Sequence, residues 1–231
     1  MTDLDQAQLH VINISNYGVS LIQQGQYGVS IPVLSEALRL CRGLMDQAED
    51  FDGSLGTSLD ACMEESRCSR QILMSDAREG GRPNGEKYLY QQAVSIPLDI
   101  GSSYRASVMV STMVTFNLAL ANQLASMNQT GEDSKLMLHK AAKLYELAFS
   151  MQQEEEFDCN TLFTLATINN LGLVHSQLND RTSANKCFEY LLSSLMYLTN
   201  ASGQKQPSRE FDGFFRNASS SIQSSRSAPA A

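Results

Sequence analysis

The chain has 231 residues, 42% of them hydrophobic, which is enough for one domain or two small ones with a real core. Its formal net charge of -8 argues against nucleic acid and against an anionic membrane surface, because both are gripped by an excess of Lys and Arg. No unbroken apolar run approaches the ~20 residues of a membrane helix. The acidic start Met1-Thr2-Asp3-Leu4-Asp5 is unlike a secretory leader, so a cytoplasmic or nuclear protein is the expectation.

Taken in chain order, apolar periodicity predicts a first helix over residues 4–24 and a second over 28–46. Pro32 is compatible with the second helix because that reading places it in the first turn. Residues 46–101 form an insertion. Its first part is acidic, and its middle carries the breaker cluster Gly80-Gly81-Arg82-Pro83-Asn84-Gly85, which predicts a mobile loop. In its last part Tyr88, Tyr90, Val94, Ile96 and Leu98 alternate with other residues, the pattern of an extended strand. A third helix follows over 104–127, with Ser102 or Ser103 as cap, and a fourth from Ser134 to Gln153. The fifth and sixth are predicted over 160–178 and 182–200. A last helix from Ser208 carries Phe211, Phe214, Phe215, Ala218 and Ile222 on one stripe, as an end cap does. The Ser-rich stretch 218–231 reads as a disordered tail, leaving a single helical domain over 1–217.

Three segments share one pattern. The first has Ser15-Asn16-Tyr17-Gly18, then Gly25-Gln26-Tyr27, then Ser30, Leu34 and Ala37. The last has Asn169-Asn170-Leu171-Gly172, then Asn179-Asp180-Arg181, then Ala184, Phe188 and Leu191 at the same spacing. The middle copy has Phe116-Asn117-Leu118-Ala119, a longer turn, then Ala141, Tyr145 and Ala148. Two antiparallel helices approach closely where small residues meet. Gly18 with Ser30, Ala119 with Ala141, and Gly172 with Ala184 are those contacts, and Leu34, Tyr145 and Phe188 fill the adjoining layer.

This pattern resembles the tetratricopeptide-repeat superfamily, with Leu-Gly, Ala and Phe positions at its offsets over about 28 residues per copy. The closing Pro of that family is absent from all three copies, and insertions separate them. Segments 140–148 and 212–217 are also similar to a group of tetratricopeptide-like proteins numerous in diatoms, a likeness that implies no activity. The resemblance implies an all-α fold of three antiparallel helix pairs plus a capping helix. It also implies a concave face lined by the first helix of each pair. The candidate partner-binding residues on that face are Ser15, Val19 and Gln23, then Phe116, Asn117, Leu120 and Gln123, then Asn169, Leu173 and Ser176. The apolar members among them also suit plain packing. Members that grip a C-terminal carboxylate do so with Lys, Arg and Asn. Here the matching positions hold Ser15, Ala166 and Asn170, and only Asn117 fits, so a carboxylate clamp is not expected.

No constellation calls for catalysis, a cofactor or a metal. His10, His139 and His175 lack ligand-spaced neighbours. Cys62 and Cys68 lie among acidic residues, which raise a thiol pKa, while Cys41 and Cys187 fall on repeat helices, where packing is the ordinary use. The Gly-rich cluster lacks the Gly-Lys-Ser/Thr ending of a phosphate loop. Glu154-Glu155-Glu156 reads as a solvated helix end. The expected function is therefore a non-enzymatic scaffold for a protein or peptide partner. The alternative is self-assembly, through the exposed edge of the 88–98 strand or through helix faces.

Overall fold

The computed structural model describes residues 3–52, 87–100, 103–154, 161–201 and 211–226. The loop at 80–85, Cys62, Cys68, Cys159 and the last five tail residues lie outside them. Among the described residues there are seven helices and no strand. They are α1 (Asp3–Gln23), α2 (Tyr27–Asp52), α3 (Tyr104–Ser126), α4 (Gly131–Glu154), α5 (Thr161–Gln177), α6 (Arg181–Ala201) and α7 (Asp212–Arg226). Successive helices pack as neighbours within two compact units. The first comprises α1–α4 with residues 92–100, and the second comprises residues 87–91 with α5–α7.

The turns explain why the first and third copies share their spacing. Gly25 (φ 75°) and Asn179 (φ 62°) both take the left-handed conformation. In each turn the next residue donates its N–H five residues back, Gln26 to Leu21 and Asp180 to His175, which satisfies orphan carbonyls at the helix end. Asp180 then caps α6 by accepting from the Ser183 N–H at 3.1 Å. Gly131 (φ 68°) serves the longer middle turn. There Ser134 is not the cap: α4 begins at Gly131, and the Ser134 hydroxyl donates to the Ser126 carbonyl at 3.0 Å. Ser103 caps α3 by accepting from the Ala106 N–H.

Other boundaries also differ from expectation. No Gly or Pro stands between Asp46 and Asp52, and α2 continues to Asp52. Because α2 starts at Tyr27, Pro32 lies past its first turn. Pro32 cannot donate to the Gly28 carbonyl, but Gly28 is exposed and water can. α7 starts at Asp212 and extends to Arg226, through residues read as tail. Asp212 in its first turn suits the helix dipole.

Two close approaches fall at glycines of the repeated pattern, and in each the facing group is a large side chain rather than the expected small one. A methyl group on Gly18 would lie 2.6 Å from Leu34 Cγ, and one on Gly172 would lie 3.0 Å from the Phe188 ring. The Ser30 hydroxyl donates to the Gly18 carbonyl at 2.9 Å, so this contact is polar as well as small. Leu34, Ala119, Ala141, Tyr145 and Phe188 are fully buried, and Ala184 nearly so.

α3 departs most from the sequence-based reading. It is long and apolar enough, by length and composition, to cross a membrane, and that window is wholly buried in the fold. Polar residues interrupt its apolar run, and their side chains find partners. Thr112 and Thr115 donate to the carbonyls of Val108 and Ser111, Asn122 donates to the Leu118 carbonyl, and Ser107 donates to Gln8. Most buried polar groups in folded proteins have such partners.

Candidate functional site

Residues 87–97 have no helical or ladder structure. Their backbone is held by asparagine side chains instead. In an extended chain the N–H and C=O of one residue point to the same edge, and every second residue repeats that direction. A carboxamide offers one acceptor and one donor from a single planar group, so it can take both. It then stands in for a residue of a neighbouring strand.

In the first unit two residues do this. Asn117 on α3 accepts from the Val94 N–H and donates to the Val94 carbonyl, each at 2.8 Å. Asn16 on α1 makes the same pair with Ile96, each at 2.8 Å. Val94 and Ile96 are both 2% exposed, so these backbone groups would be costly to leave unpaired.

In the second unit the same device recurs with a bridge. Asn170 on α5 accepts from the Tyr90 N–H at 3.1 Å and donates to its carbonyl at 2.9 Å. Asn217 on α7 accepts from the Tyr88 N–H at 2.8 Å and donates to its carbonyl at 2.6 Å. Asn169 joins the two clamps. Its Nδ2 donates to the Tyr88 carbonyl and to Asn170 Oδ1, and its Oδ1 accepts from Asn217 Nδ2. Asn169, Asn170 and Asn217 are fully buried.

The side chains of the second-unit stretch are seated too. The Tyr88 ring meets Phe214 edge-on at 5.4 Å, and Tyr90 stacks on the same ring at 6.1 Å. Gly213 makes room, since a methyl group there would lie 2.6 Å from Tyr88 Cδ2. Lys87 Nζ sits 5.3 Å above the centre of the Phe188 ring and donates to the Ser176 hydroxyl at 2.6 Å. Desolvation lowers its pKa from the ordinary lysine value.

The residues picked from the sequence divide three ways. Asn117, Asn169 and Ser176 bond to this segment. Val19, Phe116, Leu120 and Leu173 are buried in the core, with Phe116 edge-on to Tyr145 at 5.7 Å. Gln123 is buried as well, its Oε1 accepting from the Tyr145 hydroxyl at 2.9 Å. Ser15 is buried with no partner for its hydroxyl, and Gln23 is exposed. The sequence reading missed Asn16, Asn170 and Asn217 as clamps. The signal was present: Asn16, Asn117 and Asn170 each stand two residues before the small residue of a copy, and Asn217 stands two before Ser219.

The expected strand takes a different form. Residues 87–97 form no strand, and Tyr88, Tyr90, Val94 and Ile96 pair both backbone groups with side chains rather than with another strand. Leu98, expected to complete the alternation, is 63% exposed.

Elsewhere the chemistry is quiet. Among the described residues no three His, Cys, Asp or Glu side chains gather as metal ligands do. Burial pushes the Cys41 thiol up to about 12, against a hydrogen bond with Ser111, which leaves it inert at neutral pH. Asp180 is held below the usual carboxylate range, mainly by its bond to Ser183. No protein-family model, no curated protein and no solved structure matches this chain.

Proposed function

We propose that this chain is a tetratricopeptide-like scaffold that binds partner proteins through segments held in extended conformation, and that it catalyses no reaction. The observation that carries the reading is the set of four asparagines, Asn16, Asn117, Asn170 and Asn217, each taking both backbone groups of one extended residue. Such clamps read main chain, which every peptide has, and they leave the side chains free to confer selectivity. The helical-pair architecture supports the family reading, and the small-residue contacts at Gly18 and Gly172 support the repeat spacing. A protein or peptide partner suits the net charge of -8 better than nucleic acid or an anionic membrane does.

The test is display of random twelve-residue peptides against the full chain with residues 87–96 replaced by a Gly/Ser sequence. The expected result is enrichment that disappears when Asn117→Ala and Asn170→Ala are added and helicity by circular dichroism is retained. Enrichment of nothing by a folded chain overturns the reading. A sizing column that shows only a dimer sealing the site would favour self-assembly instead.

A further inference from the structure

The clamps are indifferent to sequence, but the seats beside them in the second unit are not. Lys87 places a cation over Phe188, and that ring together with the Ser176 hydroxyl suits an ammonium. Tyr88 and Tyr90 share one aromatic partner in two different geometries, edge-on and stacked. Leu89 between them is also buried. Gly213 lies in the first turn of α7, and the space it leaves is filled by the Tyr88 ring.

We infer that this site selects extended segments of the pattern cation–Tyr–apolar–Tyr. Lys87-Tyr88-Leu89-Tyr90 is then a resident ligand that a partner segment of the same pattern must displace. The inference rests on the peptide-binding reading above and adds to it the partner's chemistry and its regulation. The stretch has the marks of a bound peptide rather than of a core element. It is extended in an all-helical fold, its main chain bonds to side chains, and Lys87 and Gln91 at its two ends are exposed. A ligand that is part of the same chain competes intramolecularly, at an effective concentration that a free segment must exceed. A free partner therefore binds weakly until the resident segment yields.

The test uses a fluorescent peptide with the sequence of residues 86–92, Glu-Lys-Tyr-Leu-Tyr-Gln-Gln, and anisotropy with two full-length chains, wild type and Tyr88→Ser/Tyr90→Ser. The double variant is expected to bind at least about tenfold more tightly than wild type, because its own segment competes poorly. Adding Asn170→Ala and Asn217→Ala is expected to abolish that gain. If the double variant fails to fold, excess peptide added to wild type is expected to accelerate amide exchange at Tyr88 and Tyr90. Equal affinity for both chains, or no acceleration, overturns the inference. Equal binding of a peptide in which both tyrosines are serine overturns the selectivity while leaving the scaffold reading standing. Failure of both this peptide and the random display removes both.

Discussion

Each unit pairs the backbone of its own stretch, residues 92–97 in the first and 87–91 in the second, by the same main-chain device but with different side-chain surroundings. In the first unit, Asn16 and Asn117 clamp two buried aliphatic residues, Ile96 and Val94. In the second, Asn170 and Asn217 clamp two tyrosines, Asn169 bridges the clamps, and Phe214 and Phe188 supply rings. The comparison separates two roles. The carboxamide is the constant part, because the geometry of an extended residue does not depend on its side chain. The pocket is the variable part, and it is where one segment is told from another.

The largest expected effect falls on the frame that both roles need. Phe116 is fully buried against Tyr145, so Phe116→Ala is expected to lower stability by about 3–5 kcal/mol in urea denaturation. Such a loss would mark Phe116 as core. A loss within experimental error would restore it as a recognition residue.

Next come the clamps. Asn117→Ala and Asn170→Ala are each expected to cost about 1–3 kcal/mol, since each strips partners from two buried backbone groups. Hydrogen exchange should localise the loss, at Val94 for the first variant and at Tyr90 for the second. Unequal costs would show that the clamp is not the constant part after all.

Gly213→Ala tests the pocket alone. The methyl group overlaps the Tyr88 ring, while Gly213 lies in the first turn of α7, where alanine is compatible with the helix. The expected outcome is unchanged or higher helicity together with faster exchange at the Tyr88 amide, and no change at Val94. A ring that simply shifts and keeps its amide protected would show the seat to be loose.

The smallest effect is chemical. With its pKa raised to about 12, the Cys41 thiol should resist iodoacetamide at pH 8 in the native chain and react once the chain unfolds, as read by peptide mapping. The sign follows from the raised value. The neutral thiol contributes fully below the unfolded pKa near 9.0, and that contribution is lost as pH climbs toward 12.

Much of the frame was legible from residues alone. Gly18 and Gly172 stand where a methyl group would crowd Leu34 and Phe188, and Gly25 and Asn179 marked matched turns, because each states a local requirement that few residue types satisfy. The alternation of Tyr88, Tyr90, Val94 and Ile96 picked out the four residues whose backbone groups the asparagines pair. What covers that backbone was not legible. An unpaired extended chain is ordinarily completed by another strand, and the described residues include none. The shared position two residues before a small residue marks Asn16, Asn117, Asn170 and Asn217 as equivalent, but it does not say which groups they bond.

The sequence by itself determined an all-helical fold of helices packed in adjacent pairs. Only the tertiary structure decided that four asparagines, spread over 202 positions from 16 to 217 counted inclusively, serve the backbone of Tyr88, Tyr90, Val94 and Ile96. It also decided that Phe116 and Leu120 serve the core. The physical reason is that helix formation and close packing read spacings of three and four residues, whereas a hydrogen bond between Asn217 and Tyr88 joins groups 129 residues apart and exists only once the chain has folded.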